Sequence, residues 1–438
     1  MNPELTSHQI KPDTTTAFAP EWRRALPERI LMCLPLTLFF PVGIMYTGIL
    51  LFYIGLIISG DWRNKLDNVR SNPLLVPILL LSLVSVVIGL TQEKPPEIAQ
   101  EFWPGFGHYQ TYLFLLPYLS LRTGEWQRKA LMIFFCGAVV ASTLFVASAL
   151  HLLPDNTLFH SYVRYLGNKS ILLGMLLAIA AGWMLHELRL RKDHRWLRVV
   201  VLLYVIAALI LLSKTRSASL MFFLMCGLML MRNFNWSWRS LALPLLLVAS
   251  LYGGWKYATN LPPPQTCVIN DAHVAPWEVI KIRAVCTIQQ VRDFSEGRKI
   301  GDDGMRLEIY KITSSMIAEQ PWTGHGIASW MPNYQKRSQG LSSHTMTTPH
   351  NDYLLYATEL GVVGLFALIG IWIMQLRIAY RMSQSSQTST SDRAMLLAML
   401  TSAMMLGGMF NAILRDGVFG MAFMILLAIP LAGLRRSS

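Results

Sequence analysis

The order of apolar and polar positions divides this chain into long hydrophobic runs separated by short charged joints, with one long polar interval near the middle. Apolar stretches of about 20 residues are what an α-helix needs to cross a bilayer core. Runs of that kind are at about 73–90, 102–121, 130–152, 170–188, 197–212, 218–231, 241–257, 353–376, 394–410 and 418–434. The run from Ile30 to Ser59 is too long for one ordinary span, and Pro41 and Gly43 interrupt it, so it divides into two short helices. The pattern therefore predicts an all-α polytopic membrane protein with about twelve transmembrane helices. Residues 1–29 form an N-terminal tail, 30–256 helices 1–9, 257–349 a large, mainly helical loop domain, 350–434 helices 10–12, and 435–438 a short C-terminus.

Charge orients this plan. Short cytoplasmic joints collect lysine and arginine. The joints assigned to the inside carry 22 basic residues against 7 in the short outside loops. Both termini are therefore expected in the cytoplasm, and the long interval faces the other side. Composition agrees, since 53% of residues are hydrophobic and 14% charged, against about a quarter charged in soluble domains. The net charge of +13 does not imply nucleic acid, because no basic and aromatic patch gathers on one soluble segment. Membrane lipids are the expected surroundings.

Inside the long interval, Met305 to Ala318 has apolar residues at helical spacing, with Gly301 to Gly304 before it and Pro321 after it. It reads as a capped surface helix. Pro321-Trp322-Thr323-Gly324-His325-Gly326 is a tight turn, and Ser338 to Thr348 is a polar segment expected to be mobile. Cys267 and Cys286 are the only cysteines of the interval. An even pair in an oxidising compartment is expected to form a disulfide.

Candidate chemistry gathers on the same side. Lys214-Thr215-Arg216-Ser217 makes a whole outside turn between two apolar runs. A guanidinium there presents a fork that matches a phosphate, with Lys214 as a point charge, although a snorkelling arginine gives the same pattern. Arg306 opens the surface helix, and Arg164 and Arg415 lie on the same face, so several arginines around one surface would suit a diphosphate. His273, His325, His344 and His350 have, with Asp302, Asp303 or Asp352, no spacing that matches a known ligand pattern, and no metal is expected. His350, followed by Asn351 and Asp352 where the chain re-enters the membrane, is the candidate proton acceptor.

Three pieces of this sequence resemble the O-antigen ligases and their relatives among bacterial polysaccharide polymerases and O-oligosaccharyltransferases. Ser213-Lys214-Thr215-Arg216-Ser217-Ala218-Ser219-Leu220 is similar to the family's S-x-S-R-G-x-x-L turn, with Thr215 for a serine and Ser217 for the glycine. Pro321 to Gly326, with Arg306 upstream, is similar to its P-x-x-G-x-G turn. His350-Asn351-Asp352-Tyr353-Leu354, with Glu359, Gly361 and Gly364, resembles its H-N-x-Y-L…E-x-G-x-x-G signature. The resemblance covers the chain from about Ser170 onward.

That resemblance implies a glycosyltransferase without cofactor or metal, placed in the bacterial inner membrane. It would transfer a glycan from undecaprenyl diphosphate to the lipid A-core oligosaccharide on the periplasmic face. His350 would act as base, with Arg216, Arg306, Lys214 and Arg164 on the donor diphosphate and Asn351, Tyr353 and Glu359 in support. A polymerase differs only in its acceptor. An O-oligosaccharyltransferase usually carries a soluble region after the last span, which the end at Ser438 argues against. A lipid or polysaccharide transporter needs ionisable groups or broken helices near the bilayer midplane, whereas the charges here fall mostly at span ends.

Overall fold

The computed structural model describes residues 21–164, 168–213, 216–233, 253, 256, 276–296, 302–385 and 387–435. Among them the secondary structure is all helical. In chain order the helices are α1 (Glu21–Thr37), α2 (Val42–Ile58), α3 (Trp62–Ser71), α4 (Leu75–Thr91), α5 (Pro96–Ala99), α6 (Phe102–Tyr109), α7 (Leu115–Leu119), α8 (Glu125–Ala149), α9 (His160–Val163) and α10 (Asn168–Leu190). They continue with α11 (Arg195–Ala207), α12 (Arg216–Asn233), α13 (Pro276–Ser295), α14 (Asp302–Glu319), α15 (Trp330–Arg337), α16 (Asp352–Glu359), α17 (Gly361–Ser383), α18 (Thr388–Phe410) and α19 (Gly417–Leu431).

Five helices among the described residues are long and apolar enough to cross a membrane, or six if the bent pair α2 and α3, which turns by 117°, is one span. Shorter apolar helices occupy Leu75–Thr91, Ser217–Met229 and Gly417–Leu431. The chain is thus a multi-helix membrane protein. The expected division between the first two runs is present, with α1 ending at Thr37 and α2 starting after Pro41.

Two expected runs are broken. The stretch predicted as one span over 102–121 becomes α6, a 3-10 turn at Thr111–Phe114, and α7. The stretch over 353–376 divides into α16 and α17, because Gly361 adopts a left-handed φ of 66° between them. The run at 241–257 lies mostly outside the described residues, as do the 1–20 tail and most of 257–275.

Helix α19 lies deepest, with every residue from Phe419 to Leu431 buried. Apolar burial gives little drive between helices already in lipid, so such bundles associate through close packing of small residues. A Cβ on Gly420 would come within 2.6 Å of Thr111, one on Gly407 within 2.7 Å of Met175, and one on Gly182 within 2.7 Å of Met225. These contacts join α19 to the Thr111–Phe114 turn, α18 to α10, and α10 to α12. Buried polar groups pair across the same bundle. The Trp372 indole donates to Tyr112 Oη at 2.9 Å, and Thr401 Oγ1 to Gln375 Oε1 at 3.0 Å.

The expected surface helix over 305–318 is present as α14. The segment after α15 is not loose. Ser338 and Ser343 are fully buried, and Ser343 donates to Glu308 on α14 through both its N–H (3.1 Å) and its Oγ (2.5 Å). Polar composition predicted mobility there; these hydrogen bonds are tertiary and leave no trace in local sequence.

Candidate functional site

The start of α16 forms a clamp. Asn351 is extended at φ −158° and caps the helix, its Oδ1 accepting the Leu354 N–H at 3.0 Å. This is the usual use of asparagine at a helix start, where N–H groups lack partners. Its amide then donates to Met409 O at 3.1 Å. The buried Asp352 carboxylate accepts the Leu414 N–H at 3.2 Å, with the N–H groups of Ile413 and Arg415 beside it. Tyr353 Oη donates to Met405 O at 2.9 Å, and its ring meets Trp372 edge-on at 5.3 Å. Three consecutive side chains therefore fix the end of α18 and the 411–416 loop.

That loop carries Arg415, whose guanidinium donates to the Thr347 carbonyl. Arg415 is thus tied to the segment that leads into His350. His350 sits at a left-handed φ of 50°, its N–H donating to Thr348 Oγ1 at 2.9 Å. Burial first, and then the positive charges of Arg306 and Arg415, hold its imidazole below the ordinary histidine pKa. Each cause disfavours a further positive charge. His350 is accordingly neutral at pH 7, which is the form that accepts a proton.

The tight turn interlocks with the break between α16 and α17. His325 and Gly326 donate their N–H groups to the Thr358 and Glu359 carbonyls at 2.8 and 3.0 Å, and the Val362 N–H donates to Pro321 O at 2.8 Å. Gly324 and Gly361 both have positive φ, at 68° and 66°. A Cβ at Gly361 would lie 2.1 Å from the Trp322 carbonyl oxygen. Only glycine meets both the conformation and the approach.

Glu359 is buried at this crossing. It accepts from Tyr109 Oη at 2.6 Å, the Ala328 N–H at 3.0 Å and the Trp330 N–H at 3.1 Å. The remaining histidines of the interval have local partners. His325 Nε2 bonds Met316 O at 2.8 Å near the end of α14, and His344 Nδ1 lies 3.2 Å from Ser338 Oγ. His273 lies outside the described residues.

The expected cations fare unequally. Arg306, on α14, supplies one of the positive charges that hold the His350 pKa down. Arg164 is exposed and held by Asp155 at 2.8 Å, an ion pair that lowers the Asp155 pKa. Arg216 is the first residue of α12, while Lys214 falls outside the described residues. Helix α13 touches both the π-turn at Ala208–Leu212, which runs into the 213–216 stretch, and α14. Cys286 is buried on α13, and Cys267 lies outside the described residues.

Sequence reasoning gave Arg415 no part in the surroundings of His350, and it read α6 as part of one span with no role at the site. Glu101, His108 and Tyr109 line one small cleft with Met331, Glu359 and Arg415. Pro104, Gly105 and Gly107 inside the predicted span were the available signal that 102–121 is not one regular helix.

Residues 199–369 match the family model described as O-Antigen ligase. Comparison with curated proteins finds no match. The matched region runs from α11 into α17 and contains the Arg216 turn, Arg306, the 321–326 turn and His350 with the clamp that follows it. The match takes in His350 and residues 351–353 of the clamp, while their partners Met405, Met409, Leu414 and Arg415 lie beyond it; over residues 199–369 the chain is similar to the O-antigen ligase family.

Proposed function

We propose that this protein is an O-antigen ligase: a glycosyltransferase that moves O-antigen polysaccharide from undecaprenyl diphosphate to the lipid A-core oligosaccharide. The observation that carries the reading is the place of His350 at the head of α16, on a segment tied to Arg415 through the Thr347 carbonyl and under the positive charge of Arg306 and Arg415. His350 removes the proton from an acceptor hydroxyl as that oxygen attacks the anomeric carbon. The bond from that carbon to the diphosphate breaks, and the departing oxygens carry the electron pair away. Arg306 and Arg216, with Lys214 and Arg164 as further cations, balance that charge. A diphosphate is a good leaving group, so neither a general acid nor a metal is needed, and one displacement inverts the anomeric carbon.

In this reading the chain has about twelve spans in the inner membrane and both termini in the cytoplasm. The 257–349 domain and the site face the periplasm, and Cys267 is bridged to Cys286. Thiol labelling of non-reduced, denatured protein checks the bridge: two reactive thiols from this pair would exclude it. Closing so short a loop is worth roughly 3 kcal/mol in the chain-entropy model, so its loss should disorder the loop locally.

The function is tested with purified protein in liposomes, given lipid-linked glycan and lipid A-core. Product on lipid A-core without any ion gradient is expected. Glycan growth on the carrier alone would identify a polymerase, and movement of substrate without a new glycosidic bond a transporter.

The pH profile offers a second check. Since His350 is depressed and must be neutral to work, the acid limb of kcat/KM should fall below the ordinary histidine range. Arg415→Gln or Arg306→Gln removes a positive charge and should move that limb to higher pH. Arg306→Lys keeps charge but loses the fork, so donor KM should rise while the limb stays in place. An identical limb in both glutamine variants would remove His350 as the titrating base.

A further inference from the structure

The cleft between α6 and the 328–331 segment is separate in composition from the arginine face around His350. Its polar lining consists of Glu101, His108, Tyr109, Glu359 and Arg415, and Met331 adds apolar surface. Tyr109 and Glu359 are already bonded to each other at 2.6 Å. Among the described residues, neither the Glu101 carboxylate nor the His108 imidazole has a hydrogen-bond partner. Glu101 is exposed and His108 half-buried, so both heads are available to a ligand.

Two carboxylates face one guanidinium here, which makes the cleft a poor receiver for a phosphate. A carboxylate, an imidazole and a guanidinium instead supply acceptors and donors for neutral hydroxyls, and the Met331 side chain offers surface to the C–H face of a ring. Arg415 belongs to both sides: it lines the cleft and its charge reaches His350. A group seated in the cleft would therefore share Arg415 with the Thr347 segment that leads into His350.

We propose that this cleft is a saccharide subsite, in which Glu101 and His108 bind ring hydroxyls of an uncharged sugar while Arg415 joins it to the His350 face. The proposal rests on the glycosyltransferase reading, and it assigns sugar and diphosphate to different walls of one site. The sugar is either part of the acceptor core or the reducing-end unit of the donor glycan, since both present the same hydroxyl chemistry.

The test uses the full-length protein in detergent, with Glu101→Ala and His108→Ala. Calorimetric titration with oligosaccharide released from lipid A-core is compared with titration by undecaprenyl diphosphate without glycan. Loss of one hydrogen bond to a charged group corresponds to a fall in affinity of about tenfold. Weaker oligosaccharide binding of that size, with undecaprenyl diphosphate binding unchanged, is the expected result. A raised KM for lipid-linked glycan alone would also support the subsite and assign it to the donor sugar. Unchanged oligosaccharide affinity and unchanged KM for both substrates would overturn it, as would competition for the cleft by inorganic diphosphate. If the wild type binds oligosaccharide, the variants do not, and no transfer occurs, the subsite stands and the ligase reading fails.

Discussion

Replacing His350 by alanine is expected to slow glycan transfer by about 10²- to 10⁴-fold, the usual contribution of a positioned acid or base. Donor binding should survive, because the proposed diphosphate contacts come from arginines on other elements. The variant should also fold, since among the described residues the only hydrogen bond at His350 uses its backbone N–H, to Thr348 Oγ1. His350→Gln should be no better than alanine, because an amide can hydrogen-bond but cannot take the proton. A glutamine variant near the wild-type rate, in an assay limited by chemistry, would mean that the side chain only orients the acceptor. The base would then be sought elsewhere.

Glu359→Ala should fail for a different reason. Glu359 was expected to support His350, and its carboxylate accepts from the Tyr109 hydroxyl and from two backbone N–H groups at the crossing of three segments. Alanine strands all three donors in a buried place. Leaving one buried donor unpaired costs about 1–3 kcal/mol, so a loss of about 3 kcal/mol or more is expected for three, read as a lower apparent melting temperature in detergent. His350→Ala should melt close to wild type, which separates the two roles. Wild-type melting in Glu359→Ala, accompanied by slow transfer, would return this residue to the chemistry.

Much of the site was legible before any coordinates. His350 stands out because polar residues open an apolar run, and Asn351 is a helix-starting residue in its expected place. Arg306 and the Gly324 turn were legible for similar local reasons. Asp352 had no role in the sequence reading beyond following His350, yet it binds backbone N–H groups of a loop about sixty residues away. Arg415 was visible only as one of several outside arginines. Its neighbours are set by contacts across the bundle.

The sequence by itself determined that this is a helical membrane protein, because lipid leaves backbone groups no partner outside a helix or a closed barrel, and apolar runs of spanning length mark the helices. It also determined which short motifs matter, since capping asparagine and positive-φ glycine are local requirements. Only the tertiary structure decided what the motifs do together. The 321–326 turn locks onto the break at Gly361, the His350 clamp grips the 411–416 loop, and α6 brings Tyr109 to Glu359. Each of these joins positions 33 or more residues apart or orients a break that periodicity reads as one helix. Hydrophobic pattern records how a segment meets its solvent, whereas a hydrogen bond between distant segments depends on a packing arrangement that no single segment encodes.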